Sequence, residues 1–237
     1  MRETTAPTVQ HVDRLDLGVD ATVWPFAIEN RIKIDALFAQ LRRAQPALFN
    51  GRVLLLHRRA IEGGVMRGAF LETDYASFAA WQRWGWPETG VVDCFAAAAV
   101  QSADGAFLLG VMGDHTFHAG HIYFPCGTPD PSDVIDGKVD FDFSARRELQ
   151  EETGLDAASF TAEPGWAVVT DGALIAAIKV MRSQRDAESL RADILENLAR
   201  ELQPELSDIR IVRSTADFDP MMRGFVKAFL AHRFAGA

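Results

Sequence analysis

The chain has 237 residues, a length that suits one main domain with a smaller addition and excludes two large domains. Its hydrophobic and charged fractions, 48% and 24%, are those of an ordinary soluble globular protein. The net charge of −9 argues against binding nucleic acid through its phosphates, which needs clusters of Lys and Arg.

Cysteine content and apolar runs indicate the cellular environment. The two cysteines, Cys94 and Cys126, are too few for a disulfide framework, and both lie in apolar, strand-like runs. The start of the chain has no apolar signal segment, and no apolar run reaches the roughly 18 residues that a membrane span needs. We therefore expect a cytoplasmic protein that does not enter a membrane.

The first part of the chain predicts a small α/β unit. Residues 1–22 carry no clear pattern and are interpreted as a loosely held lead-in. Helical spacing of apolar residues predicts a helix over 28–44, followed by strands over 53–57 and 65–71 and a helix over 74–84. The stretch Gly85-Trp86-Pro87, continuing to Gly90, marks the predicted domain boundary.

The second part predicts a mixed sheet with helices packed on it. Strands are predicted over 91–100, 106–112, 121–125, 166–169 and 173–180, and helices over 141–153, 187–203 and 221–234. A long polar loop covers 128–138. Asp140 is the predicted N-cap of the helix over 141–153, and Gly154 follows its last turn. This order of elements is typical of a layered α/β or α+β domain.

Three glutamates on that helix carry the predicted chemistry. Glu148, Glu151 and Glu152 are related by helical i+3 and i+4 spacing, so their carboxylates share one face and repel one another. A divalent cation such as Mg²⁺ or Mn²⁺ reverses this balance, because it binds carboxylate oxygens, activates water and neutralises phosphate charge. Arg147, which precedes the cluster, has a planar fork that suits a bidentate bond to one carboxylate.

The run from Arg147 to Leu155, Arg-Glu-Leu-Gln-Glu-Glu-Thr-Gly-Leu, resembles the second half of the sequence box of Nudix hydrolases. That half reads Arg-Glu-apolar-any-Glu-Glu-any-Gly-apolar, and every defined position matches. The resemblance implies a divalent-metal-dependent hydrolase acting on a diphosphate. It further implies that Glu148 and Glu152 are direct metal ligands and that Glu151 is a ligand or the base.

The first half of the box departs from the family pattern. Val139 stands where the family has a glutamate, eight residues before the arginine, and Asp133 stands where it has a glycine. Pro125-Cys126-Gly127 resembles the Pro-Gly-Gly turn that precedes the box in the family. If Gly127 is the glycine of the box, the loop before the helix has six extra residues. The carbonyl of Gly127 or Cys126 is then a further metal ligand. Either Asp136 or Asp140 replaces the missing glutamate, or nothing does, so the number of metal ions stays open.

Residues outside the box are candidates for the base and for substrate binding. Glu163, Glu205 and Asp208 are either alternative bases or ordinary surface charge, and the second interpretation is favoured for each. Arg52 and Arg58 form part of a basic patch that either binds substrate phosphates or is ordinary solvated charge. His118 lies in a loop next to Gly127, and His115, His118 and His121 are interpreted as a surface loop rather than a zinc site, because no acidic or cysteine partner completes a set.

Aromatic residues and the N-terminal leader bear on the substrate. Phe78, Trp81, Trp84 and Trp86 either stack on a nucleobase or, as their spacing favours, pack against the main domain. The run Leu48 to Val53, with the later Thr73-Asp74-Tyr75, resembles the leader of the UDP-glucose pyrophosphatase branch of the family. Phe124-Pro125-Cys126-Gly127 and the long loop resemble the coenzyme A branch, whose upstream signature is absent.

These observations combine into one prediction. The fold is an α/β (α+β) protein with a Nudix-like α/β/α sandwich and mixed sheet over 89–237, preceded by a small N-terminal α/β domain over 1–88. The predicted reaction cleaves the diphosphate of a nucleotide sugar or dinucleotide with Mg²⁺ or Mn²⁺. The alternatives are a non-catalytic nucleotide-binding module and a coenzyme A-type diphosphatase. The partner is a small-molecule nucleotide; a homodimer is common in the family, although no residue here requires one.

Overall fold

A computed structural model of the chain describes residues 6–46 and 48–236. The strands are β1 (Thr8–Val12), β2 (Arg14–Asp20), β3 (Arg52–Glu62), β4 (Val65–Asp74), β5 (Asp93–Gln101), β6 (Phe107–Met112), β7 (Ile122–Tyr123), β8 (Cys126–Gly127), β9 (Val134–Ile135), β10 (Lys138–Val139), β11 (Thr161–Ala162), β12 (Trp166–Asp171), β13 (Leu174–Arg182) and β14 (Leu206–Val212). The helices are α1 (Pro25–Glu29), α2 (Arg31–Ala44), α3 (Tyr75–Arg83), α4 (Phe141–Thr153), α5 (Ala187–Leu198) and α6 (Gly224–Ala235).

The larger sheet has the strand order β1-β12-β13-β5-β6-β14, with β11 on β13, β7 on β6 and β8 on β5. The β13–β5 pair is parallel and the pairs β12–β13 and β5–β6 are antiparallel, so the sheet is mixed. Every residue of β5 from Asp93 to Val100 is buried, which requires cover on both faces of the sheet. Helices α4, α5 and α6 contact this sheet. The predicted layered α/β class is therefore confirmed.

The smaller sheet has the order β3-β4-β2-β10-β9, and its β2–β4 pair is parallel. Helices α2 and α3 contact one another beside it. Their apolar cluster includes the buried side chains of Phe78 and Trp81, and the partly buried Trp86 packs against it. Three of the four predicted aromatic residues therefore take part in packing. Trp81 also donates its indole N–H to the carbonyl of Pro87, at 2.8 Å.

Both sheets combine strands from the two predicted domains. Strand β1 pairs with β12 in the larger sheet, and β10, from the loop before α4, pairs with β2 in the smaller one. A domain boundary at residue 88 thus stays a prediction, and a cut there would separate strands that are hydrogen-bonded to each other.

Three expectations about the elements were wrong. The lead-in over 1–22 contains β1 and β2, and its first five residues lie outside the described part. The helix predicted over 187–203 ends at Leu198, and the segment after it, for which no element was predicted, contains β14, which pairs with β6. The polar loop over 128–138 contains β9 and β10. Each strand is short, polar or an edge, so its partner and not its own pattern stabilises it. No helix in the described residues is long and apolar enough to cross a membrane.

Candidate active site

Helix α4 presents the glutamates, and its own sequence determines both of its ends. Asp140 caps the first turn by accepting hydrogen bonds from the backbone N–H groups of Asp142 and Phe143, each at 3.0 Å. Gly154, with φ of 71°, ends the helix in the left-handed conformation that glycine adopts without steric cost. The predicted helix 141–153 and both caps are therefore confirmed. Leu149 is fully buried and seats the helix on the sheet.

Arg147 connects the helix to the preceding loop. Its guanidinium contacts Asp133 Oδ1 at 3.1 Å, Glu148 Oε1 at 3.0 Å and Glu151 Oε2 at 2.9 Å. The pKa of Arg147 is raised overall. Burial alone would lower it, but the carboxylates of Glu148, Asp133 and Glu151 outweigh the effect of burial. Arg147 is therefore a fixed cation that orients the acidic groups around it.

Glu152 is the most enclosed carboxyl of the three. Its side chain is 5% exposed, and Oε1 accepts a hydrogen bond from the backbone N–H of Cys126 at 2.9 Å. Its Oε2 is buried without a hydrogen-bond partner among the described residues. Burial, followed by the nearby Glu148 and Glu205, raises the pKa of Glu152 well above its ordinary value. A buried carboxyl oxygen without a partner is costly and needs an explanation such as an ion.

Glu148 lies against Gly127. A Cβ at position 127 would stand 2.5 Å from Glu148 Oε1, so only glycine leaves room for this carboxyl beside the backbone. The Glu148 side chain is 13% exposed. Burial raises its pKa to about 7, Arg147 opposes the shift and Glu151 adds to it. The structure thus brings together Glu148, Glu152 and Gly127, all three of them predicted.

Glu151 differs from its two neighbours, because its side chain is 59% exposed and paired with Arg147. Across residues 6–46 and 48–236, no three His, Cys, Asp or Glu side chains are grouped closely enough to hold a metal ion. Mg²⁺, however, is usually held by one or two carboxylates, with waters and substrate phosphates as its other ligands. The unpartnered Oε2 of Glu152 and the adjacent Glu148 fit that donor set.

A cavity of about 320 Å³ opens beside this carboxylate pair. Cys126 and Gly127 form part of its wall, and residues from both halves of the chain form the rest, among them Tyr75, Trp86, Asp93, His118, Glu205 and Arg223. Burial, with the charges of Arg223 and His121, lowers the pKa of His118 to about 4, so this imidazole is neutral at pH 7. A cavity with aromatic walls and a few polar groups is a typical small-molecule site.

The three carboxylates considered as alternative bases have different surroundings. Glu205 lines the cavity, and burial raises its pKa, while the charge of His115 opposes this shift and that of Glu151 adds to it. Glu163 is paired with Arg182 and Arg233, and Asp208 is paired with Arg191 at 2.6 Å. Of these three carboxylates, Glu205 alone lines the cavity.

The predicted substrate-binding residues are separated in space. His118 lines the cavity. Arg52 pairs with Glu72 at 2.6 Å and lines a different depression, next to Trp24 and Arg31, while Arg58 pairs with Asp20. A role for Arg52 and Arg58 in substrate binding stays a prediction, and neither lines the cavity at Gly127.

Sequence reasoning missed two acidic residues and one basic residue. Asp133 accepts a hydrogen bond from Arg147. Asp136 is instead exposed in a turn, and Asp140 caps α4. Asp93 and Arg223 line the cavity. An acidic residue within the apolar run Val91–Val100 was the available signal for Asp93, since charged residues are rarely buried without a function or a partner.

Comparison with known proteins yields structural neighbours only. No protein-family model matches the chain, and no curated protein is detectably similar in sequence. A Nudix hydrolase from M. smegmatis, RenU, is similar at 16% identity and a TM-score of 0.38, over 60% of this chain and 83% of that one.

Two further solved structures give comparable values. A C. elegans Ap4A hydrolase is similar at 16% identity and a TM-score of 0.39, over 60% of this chain and 96% of that one. The MutT protein from Methanosarcina mazei Go1 is similar at 17% identity and a TM-score of 0.40, over 61% and 94%. At these scores the activity has to be argued from the residues of the chain itself.

Proposed function

We propose that the protein is a divalent-metal-dependent hydrolase that cleaves the diphosphate of a nucleoside diphosphate linked to another group. A nucleotide sugar is the first choice of substrate and a dinucleotide the second. The observation that carries the proposal is the buried pair Glu148 and Glu152 against the Cys126-Gly127 backbone, next to a cavity. Buried carboxyls with raised pKa values destabilise a fold, so they are expected where function requires them.

Glu148 and Glu152 hold the metal ion in this proposal, and the Gly127 carbonyl is an additional donor. Glu151 is a third ligand if it leaves Arg147, to which it is paired here. When bound, Mg²⁺ or Mn²⁺ supplies neutralisation of diphosphate charge and activation of water. Arg147 acts as a positioning residue, because it holds Glu148 from one side while Asp133 holds Arg147 from the other.

The remaining steps use groups of the cavity. A water oxygen bonds to one phosphorus, the bond from that phosphorus to the bridging oxygen breaks, and a base accepts the water proton. We propose Glu205 as this base, because it lines the cavity while Glu163 and Asp208 are paired elsewhere. Arg223 and the neutral His118 line the same cavity and are placed to contact the substrate phosphates. The products are a nucleoside monophosphate and a phosphorylated remainder.

The test is a panel of nucleotide sugars, ADP-ribose, dinucleotides, coenzyme A and nucleoside triphosphates, each with Mg²⁺ or Mn²⁺. Wild type is compared with Glu152→Gln, and with Glu201→Gln as the matched control on an exposed turn. We expect turnover of one class, a loss of at least about 100-fold in Glu152→Gln by removal of transition-state charge stabilisation, and no change in Glu201→Gln. Turnover that persists in Glu152→Gln or in EDTA would contradict the proposal.

A second candidate is a nucleotide-binding module without turnover. One observation favours it: Glu151 is exposed and paired with Arg147. Of the three glutamates on α4, only Glu148 and Glu152 are then enclosed beside the cavity, and the described residues contain no group of three metal-ligating side chains. This candidate predicts that a nucleotide raises the melting temperature while no product appears with any compound of the panel.

A further inference from the structure

The cavity contains a polar group that the proposed hydrolysis does not use, the carboxyl of Asp93. Asp93 begins β5, is 5% exposed and lines the cavity. Its backbone N–H donates to the carbonyl of Ala173 at 2.9 Å, and the Thr128 hydroxyl donates to Oδ1 at 3.2 Å. One hydroxyl uses only part of the acceptor capacity of a carboxylate, so Asp93 has capacity left for donors of a ligand.

The walls around Asp93 are aromatic. Tyr75, Phe78, Trp86 and Phe117 line the cavity together with the apolar Val53 and Leu174. Flat aromatic walls around a polar group form the arrangement by which proteins hold a nucleobase, with stacking on the ring faces and hydrogen bonds along the ring edge.

Trp86 supports this interpretation independently. Its φ is 57°, in the left-handed region that a bulky residue rarely adopts. The conformation is held by its N–H, which donates to the Trp81 carbonyl at 3.0 Å, and by ring contact with Trp81 at 4.6 Å between centroids. Strained backbone persists where surrounding structure enforces it, and such positions concentrate at binding sites.

We propose that this cavity binds the nucleobase of the substrate and that Asp93 selects a guanine-type edge, whose two neighbouring N–H groups donate to the two carboxylate oxygens. The proposal rests on the hydrolase function proposed above, because it names the base of the nucleotide that is cut. Gly127 lines the same cavity and contacts Glu148, so a base held there has its phosphates beside α4.

The hydrogen-bonding pattern of Asp93 distinguishes the bases. An adenine edge offers one donor beside one acceptor, and the acceptor would face a carboxylate oxygen. A uracil edge offers one N–H between two carbonyls, which the carboxylate repels. Bidentate pairing with a single base is worth about tenfold or more in discrimination against the wrong one.

The test measures binding of GMP, IMP, AMP and UMP to the full chain in EDTA by calorimetry. We expect GMP to bind at least about tenfold more tightly than AMP or UMP, and IMP, which lacks the 2-amino donor, to lose about tenfold. Asp93→Asn presents an acceptor beside a donor, so it should lose the GMP preference and bind AMP as well as or better than GMP. The control Asp114→Asn changes an exposed aspartate and should behave as wild type.

Equal affinity for GMP and AMP in the wild type, or a GMP preference that survives Asp93→Asn, overturns the proposal. If Asp93→Asn does not fold, the comparison of GMP with IMP on the wild type decides alone, and equal affinities overturn it. The ligands contain no diphosphate and EDTA removes metal, so this measurement is independent of turnover. An inactive protein that prefers GMP contradicts only the hydrolase, and an active one without base preference contradicts only the role of Asp93.

Discussion

Arg147 and the fully buried Asp133 form an ion pair that connects the loop before α4 to the acidic face of the helix. The Nη2 atom of Arg147 lies 3.1 Å from Oδ1 and 3.2 Å from Oδ2 of Asp133, whose side chain has no solvent exposure. The same guanidinium lies 3.0 Å from Glu148 Oε1. The loop therefore determines where Glu148 stands, although Asp133 is fifteen positions earlier in the chain.

Replacing Asp133 with Asn should destabilise the protein, because Arg147 would lose a buried anion while staying charged. Removal of one partner from a buried pair costs about 3–5 kcal/mol, and the remaining contacts of Arg147 with Glu148 and Glu151 place the expected loss near the lower end. Urea unfolding measures this free energy.

Asp136→Asn is the matched control for that substitution. Asp136 is exposed, and its φ of 49° is in a region that Asn tolerates as well as Asp, so a change within about 0.5 kcal/mol is expected. Equal losses in both variants would show that Asp133 has no special role.

Gly127→Ala should disturb the carboxylate pair without unfolding the protein. The added Cβ would stand 2.5 Å from Glu148 Oε1, the mobile end of a side chain, so the carboxyl moves and the backbone stays. We expect loss of most Mg²⁺-dependent activity, on the order of 100-fold for a group displaced by about 1 Å. Gly18→Ala meets no atom within 4 Å and serves as the control. A Gly127→Ala enzyme with wild-type activity would exclude Glu148 as a ligand.

Helix α4 could be predicted from sequence because its determinants are local. The cap Asp140, the apolar Leu149 and the terminal Gly154 all act within a few residues, and the carboxylate spacing follows from helical geometry. The mixed α/β class could be predicted for the same reason, since it depends on the order of elements and not on their partners.

The features that could not be predicted from the sequence depend on contacts between distant segments. Strand β1 is stabilised by pairing with β12, and its own pattern, mostly exposed, does not distinguish it from a loop. The sequence names Asp136 and Asp140 as replacements for the missing box glutamate and does not indicate that Asp133 pairs with Arg147. The fold of the loop that buries Asp133 depends on the pairing of β9, β10 and β2, which are distant from one another or weakly patterned. The cavity could not be predicted, because α3 and the loop at His118 meet only in the folded chain.

Glu205→Gln should lower kcat and leave KM nearly unchanged if Glu205 accepts the water proton. Loss of a general base typically lowers the rate by about 100- to 10,000-fold, while substrate contacts at the rest of the cavity remain. Steady-state kinetics on the best substrate of the panel measures both constants. Asp208→Asn, three residues away and paired with Arg191, is the control and should keep kcat within about twofold. Similar kcat values for wild type and Glu205→Gln would exclude this base.

Asp93 should make stability depend on pH in a direction that its burial determines. Burial raises its pKa from 3.8 to about 7, while the Thr128 hydroxyl and Arg223 oppose the shift. Because the folded-state pKa is the higher one, its stabilising effect is present below about pH 4 and is lost as pH rises through 7. The loss is on the order of 4 kcal/mol. Asp93→Asn should lack this dependence, so the difference in unfolding free energy between variant and wild type should grow from pH 4 to 8. A flat difference over that interval would contradict the burial of a titrating Asp93.

Glu152→Gln separates the structural role of this carboxyl from its role in binding metal. In EDTA the variant should unfold within about 1 kcal/mol of wild type, because Gln keeps an oxygen that can accept from the Cys126 N–H and removes a buried group that resists ionisation. With Mg²⁺ at 100 times its dissociation constant, wild type should gain about 2.7 kcal/mol and the variant much less. Glu201→Gln, at an exposed position after α5, should respond to Mg²⁺ as wild type does. An equal response in all three proteins would place the metal away from Glu152, whereas a large loss in EDTA would make Glu152 a structural residue of α4.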